Sequence, residues 1–218
     1  MSTSFENLVT SGTFSLDGGT WDVDNNVWII GDANEVIIID PAHDADAVAK
    51  AVGERAVSAI LLTHGHDDHI SQALEVQKRL GGRIHLNPED QMLWDSVHGG
   101  TVPDVHIGDG DVFTVGDATL VAIHTPGHSP GSTCFYSEAL TGPDGATQPV
   151  LFSGDTLFSG GPGATGRSYS SFETIIESIR TRLFQELPAE TVVNTGHGPS
   201  TSIGAESPQL QEWIDRGE

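Results

Sequence analysis

Ala59-Ile60-Leu61-Leu62-Thr63-His64-Gly65-His66-Asp67-Asp68-His69 is the stretch from which the rest of the chain can be read. Its first four residues form a short, bounded apolar run of the kind that makes a buried strand. Four residues of metal-ligand type, His64, His66, Asp68 and His69, then fall within six positions. Imidazole and carboxylate together suit zinc, iron and related first-row metals. A His-rich solvated loop is the bland alternative. Imidazoles crowded this densely at a strand end need a partner, and a metal ion takes several at once.

Working outward, the same layout recurs three times. His128 follows the apolar segment Leu120 to Ile123 and the turn Thr125-Pro126-Gly127. Asp155 follows Val150-Leu151-Phe152-Ser153-Gly154, and His197 follows Thr191-Val192-Val193-Asn194-Thr195-Gly196. In each case an apolar strand runs into a small or glycine-containing turn and then a ligand. Ligands at the ends of several strands can converge on one place in a sheet-based site. Standing alone, Asp155 reads equally well as a turn residue. The repeated layout is what makes it a candidate.

Thr-His-x-His-x-Asp-His at 63–69, Pro-Gly-His at 126–128, Gly-Asp at 154–155 and Gly-His at 196–197 resemble the motifs of the metallo-β-lactamase-fold hydrolases. Asp40, ending the strand Val36-Ile37-Ile38-Ile39, matches that family's early structural Asp. The resemblance implies an α/β fold, a four-layer αββα sandwich with its site along one edge of the two sheets, in a single domain over residues 1–218. It also implies a ligand set. His64, His66 and His128 hold a first metal, Asp68, His69 and His197 a second, and Asp155 bridges them, with two zinc ions expected and iron or manganese possible. Asp68 further orients the nucleophile, a metal-bound hydroxide, while Asp40 organises the loops. No side-chain nucleophile is needed, in keeping with the lack of a Gly-x-Ser-x-Gly run.

Gly154-Asp155-Thr156-Leu157-Phe158 and Gly166-Arg167-Ser168 further resemble the short glyoxalase II-like group, thioesterases that hydrolyse acyl thioesters of low-molecular-weight thiols. Where many relatives have an acidic residue and Phe after Gly-Arg-Ser/Thr, this chain has Tyr169-Ser170-Ser171-Phe172. It also stops short of the C-terminal helical domain with which long glyoxalase II enzymes help hold glutathione, so another carrier such as mycothiol stays open. Arg167 is a candidate for a substrate carboxylate and Tyr169 for the mouth of the site; the alternative for Arg167 is a surface ion pair. Trp21 and Trp28 are candidates for the pocket wall, with core packing the competing role for Trp28. His43, His85, His98, His106 and His124 fall outside the motifs and receive no function.

A second reading is a persulfide dioxygenase-like oxidoreductase with one iron on His64, His128 and Asp155, a two-His-one-carboxylate set. The full complement of His66, Asp68, His69 and His197 argues for the dinuclear hydrolase instead. A lactonase-type ring opener is a third reading, and a metal store a fourth.

The 218 residues suit one core-bearing domain. A net charge of −22, with Lys50 and Lys78 the only lysines, repels phosphate backbones and anionic membrane surfaces, so neither nucleic acid nor membrane is an expected partner. The segment Met1 to Asn7 lacks a basic, then apolar, leader pattern, and no apolar run approaches the roughly 20 residues that span a bilayer. Cys134 is the only cysteine and reads as packed in a strand, which fits a cytoplasmic protein; the resemblance implies a small-molecule thioester as its partner.

Strands are expected at Val27–Gly31, Val36–Asp40, around Ile60, at Arg83–Leu86, Val112–Val115, Ala118–His124, Ser132–Tyr136, Val150–Ser153 and Thr191–Thr195. Helices are expected from Asp44 to Val52, from about Ser71 to Leu80, after Asn87-Pro88, from Ser171 with a stripe through Leu187, and from Ser207 to Arg216.

Overall fold

The computed structural model describes residues 3–217; Met1 and Ser2, which head the segment inspected for a leader, and Glu218 lie outside the described residues. The chain opens with two 13-residue strands, β1 (Ser4–Leu16) and β2 (Gly19–Gly31), paired antiparallel through Asp17-Gly18. Both turn residues have positive φ, 53° and 78°. A two-residue hairpin loop needs this conformation to match the strand twist, and Asp-Gly supplies it.

The sequence expectation of a first strand at Val27 is corrected here. The outer arm of the hairpin stands clear of the core, and only from Asn25 onward is β2 buried at every position. The alternation there is short, Phe14-Ser15-Leu16 on one strand and Trp21-Asp22-Val23-Asp24 on the other, and it sits among Gly, Ser, Thr and Asp, which makes a weak strand signal.

β3 (Glu35–Ile39) pairs with β2 in the register Trp28↔Ile39, and its apolar run is buried on both faces. Asp44 caps α1 (Ala45–Val52) by accepting the Ala47 N–H, and Gly53 at φ 65° ends it. β4 (Ala56–Leu61) lies parallel to β3 and delivers the chain to residues 63–66 and the one-turn α2 (Asp67–Ile70). α3 (Ala73–Leu80), β5 (Arg83–Leu86), a 3₁₀ turn at Pro88–Asp90, α4 (Gln91–His98) and β6 (Val105–His106) complete the first half.

β7 (Val112–Val115), β8 (Ala118–His124), β9 (Thr133–Thr141) and β10 (Thr147–Gly154) form an antiparallel meander. A small hairpin follows, β11 (Leu157–Phe158) with β12 (Gly161–Pro162), and then α5 (Phe172–Ser178). β13 (Val192–Thr195) lies parallel to β10; β14 (Thr201–Ser202), α6 (Ile203–Glu206) and α7 (Leu210–Arg216) close the described chain. The stripe expected to make one helix from Phe172 to Leu187 widens after Ser178 into a π-type coil, Ile179–Phe184. Ile175, Ile179 and Leu183 are all fully buried. Residues four apart drift around an α-helix of about 3.6 residues per turn, and the wider coil returns them to the core face.

Alternation along the strands sorts the core into three slabs. Ile38 and Ile60 pack with Val48 of α1 and Val76 of α3. Ile37, Ile39 and Leu61 point the other way, against Leu120, Phe135 and Phe152 of the second half. Cys134, Leu151 and Val193 then meet Ile175, Ile179 and Trp213 on the far side. Helices, sheet, sheet, helices is the αββα order. The two sheets join at one edge through a single parallel pairing, Ser4↔Thr141. No helix among the described residues is long and apolar enough to cross a membrane.

Candidate metal centre

The loops after β4, β8, β10 and β13 bring all seven candidate ligands to one place. His64, His66 and His128 present Nε2, Nδ1 and Nε2 to one another, 3.0 Å separating His64 from His66 and His66 from His128. Their neighbours fix the rings: Thr63 Oγ1 lies 3.0 Å from His64 Nδ1, and His128 Nδ1 donates to the carbonyl of Ala164 at 2.8 Å. Beside them, Asp68, His69 and His197 form a second trio, with His69 Nε2 3.2 Å from His197 Nε2 and Asp68 Oδ2 3.4 and 3.3 Å from the two. Asp155 lies between the trios, Oδ1 3.4 Å from His69 Nε2 and Oδ2 3.5 Å from His128 Nε2 and 3.4 Å from His197 Nε2.

The donor chemistry fits metal ions. Zinc–nitrogen bonds of about 2.0–2.1 Å set tetrahedral ligand nitrogens roughly 3.3 Å apart, close to the spacings found. Three buried imidazole nitrogens cannot all satisfy one another as hydrogen-bonding pairs, because each neutral ring has one donor. Asp155 Oδ1 is buried without a hydrogen-bond donor. A cation at each trio would resolve both deficits.

Protonation follows the same division. Burial, helped by His128, pushes His66 down to about 3, and burial likewise holds His64 well below the ordinary imidazole value. Both are therefore neutral, the form that ligates. In the second trio burial also opposes charge on His197, but Asp155 and Asp68 outweigh it and raise that ring to about 10. Burial works against the Asp68 carboxylate too, yet His69, His197 and Asn25 hold it at about 2. Without a metal, Asp155 and Asp68 hold a proton on His197.

Three polar residues position these loops. Asp40, at φ 51°, accepts from the Thr63 N–H (2.7 Å), the Thr63 hydroxyl (2.6 Å) and His69 Nδ1 (2.9 Å), the organising place expected for it. Asp90 and Asn25 carried no signal in the sequence. Asp90 is fully buried and accepts from the Gly65 N–H (2.8 Å), the Ser129 hydroxyl (2.7 Å) and the Gly131 N–H (2.6 Å), so one carboxylate pins two ligand loops. Asn25, also fully buried, donates to Asp68 Oδ2 at 3.0 Å. Each sits at the boundary of an apolar or helical run, where a polar residue reads as a cap or turn. Close approach matters as well: a Cβ on Gly196 would lie 2.1 Å from Asp155 Oδ1, so only glycine lets β13 carry His197 past the bridge position.

The centre floors a cavity of about 320 Å³, at the small end of ligand sites. Phe14 and Trp21 from the β1–β2 hairpin roof it, stacked at 5.7 Å, and Phe158 adds a wall. Arg167 lines the cavity with its guanidinium 3.8 Å over the Trp21 ring, and no carboxylate among the described residues pairs with it. Asp17 at the hairpin tip accepts from the Ser168 N–H (2.9 Å) and hydroxyl (2.6 Å), tying the roof to the Arg167 loop. Tyr169, at φ 69°, is 57% exposed and is not part of the lining. Trp28 is buried in the core with its indole N–H on the Thr195 carbonyl. Cys134 is buried, and burial raises its thiol to about 11, leaving it an inert packed residue.

A family model described as the metallo-beta-lactamase superfamily matches residues 20–197. The hydroxyacylglutathione hydrolase GloC of Haemophilus influenzae is 30% identical over 190 residues, covering 80% of this chain and 85% of that protein. Among solved structures, the BLEG-1 B3 metallo-beta-lactamase matches at 28% identity with a TM-score of 0.74, over 91% of this chain and 97% of its own. TTHA1623, solved in a di-iron-bound form, matches at 28% identity with a TM-score of 0.71, over 85% and 93%. The layered sheets, the His/Asp cluster at their edge and a family match running from the hairpin roof to His197 agree: the chain belongs to the metallo-beta-lactamase superfamily.

Proposed function

We propose that this protein is a dinuclear, zinc-loaded hydrolase that cleaves acyl thioesters of a low-molecular-weight thiol in the cytoplasm, and that neither nucleic acid nor membrane is its partner. The observation that carries the reading is the convergence of two adjoining ligand trios on the floor of an aromatic-roofed cavity. His64, His66 and His128 would hold one ion, Asp68, His69 and His197 the other, with Asp155 between them. Bound there, the ions supply a water ionised near neutral pH and a Lewis acid for a carbonyl oxygen. The nitrogen-rich donor set suits zinc.

The lining supports a thioester over an ester or amide. Outside the ligand set, the described residues of the cavity include no carboxyl, thiol or imidazole that could protonate a leaving group. A thiolate needs no such acid, since a thiol ionises at about 8.5. Asp68, held ionised, would accept a hydrogen bond from the attacking water and so aim it. Arg167, unpaired and stacked on Trp21, offers its donor fork to a carboxylate on the carrier or the acyl group. Phe14, Trp21 and Phe158 exclude bulk water. The relation to a hydroxyacylglutathione hydrolase supports the same substrate class.

Elemental analysis of the purified protein, paired with hydrolysis of hydroxyacyl thioesters of glutathione and of other thiols, tests the proposal. About two zinc ions per chain with thioester hydrolysis is the expected result, and His66→Ala or Asp68→Ala should lower turnover at least about 100-fold. Unchanged turnover in either variant would sink it. One iron per chain with oxygen uptake on a persulfide would move the chain to sulfur oxidation.

A further inference from the structure

We infer that Asn25 and His43 form a positioning pair that sets Asp68 for the second ion, an inference that rests on the dinuclear reading above. Asn25 Nδ2 lies 3.0 Å from Asp68 Oδ2 and 3.3 Å from His69 Nε2, so it reaches two of the three residues in that trio. On its other side, Asn25 Oδ1 is 2.7 Å from His43 Nε2. An amide can be turned end for end at almost no cost in shape. Asp68 decides the matter, because an ionised carboxylate only accepts and so draws the NH₂ group. The amide oxygen then faces His43, whose neutral ring meets it with Nε2–H and holds the amide in that orientation.

The fold goes to some trouble to place His43. It adopts φ 53°, a left-handed conformation uncommon for a residue with a Cβ. Asp40, three residues earlier, does the same at φ 51°. Two such residues within four positions mark a turn held in place by its surroundings, and strain of this kind gathers at functional sites. The side chains divide the work: Asp40 holds Thr63 and His69, and His43 reaches Asp68 through Asn25. Strand β1 makes room with Gly12, where a Cβ would lie 2.1 Å from His43 Nδ1. Burial lowers the His43 pKa and favours the neutral ring, which has a single N–H to give.

Neither residue touches the first trio, so the effect is specific to the second. Metal-free protein is titrated with zinc against a chromophoric chelator, resolving two binding steps. In Asn25→Ala the second dissociation constant should rise about 10–100-fold, the usual consequence of losing a partner that orients a ligand, while the first stays within about twofold. His43→Ala should weaken the second step several-fold. His43→Gln, whose amide nitrogen can stand in for Nε2, should restore it. Should Asn25→Ala fail to fold, the two His43 variants carry the test, since that side chain is only half buried. A second-step constant unchanged in every variant that folds, or both steps weakened alike, overturns the inference. Wild-type protein that binds a single ion overturns it together with the dinuclear reading. Two ions bound, a selective second-step loss and no thioester hydrolysis leave the pair standing and remove the thioesterase.

Discussion

His197 is where the electrostatics of the centre become measurable. Its ring, raised to about 10 by Asp155 and Asp68, carries a proton at neutral pH when no metal is bound. A folded value above the ordinary 6.5 means that this pairing stabilises the metal-free protein fully below about pH 6.5, and the stabilisation is lost as pH rises through about 10. A cation ligated by His197 must displace that proton. Zinc added to metal-free protein at pH 7–8 in weak buffer should therefore acidify the solution, and apparent affinity should climb with pH until about 10. A pH-indicator dye reads the release; zinc uptake with no acidification would put His197 outside the coordination. At this scale the sequence was informative where ligands crowd together, as at His64 to His69. Asn25 and Asp90 were silent because their partners lie elsewhere in the chain. Asp68 is 43 positions from Asn25, and Gly131 is 41 from Asp90. A lone buried polar residue has no pattern of its own.

On the proposed function, recognition depends on the β1–β2 hairpin. It carries Phe14 and Trp21 over the centre, and Trp21 is the platform for Arg167. A cation–π contact of this kind contributes about 0.5–2 kcal/mol. Trp21→Ala should therefore raise KM roughly 3- to 30-fold for a carboxylate-bearing thioester and leave kcat within about twofold, because the ligands stay in place. Steady-state kinetics on charged and neutral thioesters checks this; an equal KM rise for both would make Trp21 a simple wall. The same element shows why sequence patterns fail outside the core. β3 and β4 are legible because sheets and helices cover them on both faces. The outer arm of the hairpin lies over a cavity and not over the core, so its alternation is short and rests on a few partly covered side chains such as Phe14 and Val23. The coil at Ile179–Phe184 is a subtler case: residues four apart read as a helix, and the turn widened to serve them.

Across the whole molecule the surplus of 31 acids over 9 Lys and Arg is spread over a small body. Self-repulsion of that size opposes folding and is screened by salt, with a Debye length of about 10 Å at 0.1 M and 3 Å at 1 M. The thermal midpoint should rise by several degrees between 0.05 and 0.5 M sodium chloride, read by calorimetry. A falling midpoint would mean that surface ion pairs such as Arg182–Asp109 outweigh the repulsion. The layered arrangement was legible only through the ligand motifs and the family they resemble. No local pattern says that Ser4 meets Thr141 to join two sheets. That join has a consequence in time. Four of the seven candidate ligands belong to the first half of the chain and three to the second, and Asp90 clasps a loop from each. A growing chain leaving the ribosome completes the His64–His66–His128 trio first. It gains Asp155 next and finishes the second trio only when His197 emerges. The order of synthesis thus staggers the two trios: the first has its three imidazoles and the Ala164 carbonyl that holds His128 before His197 of the second has emerged.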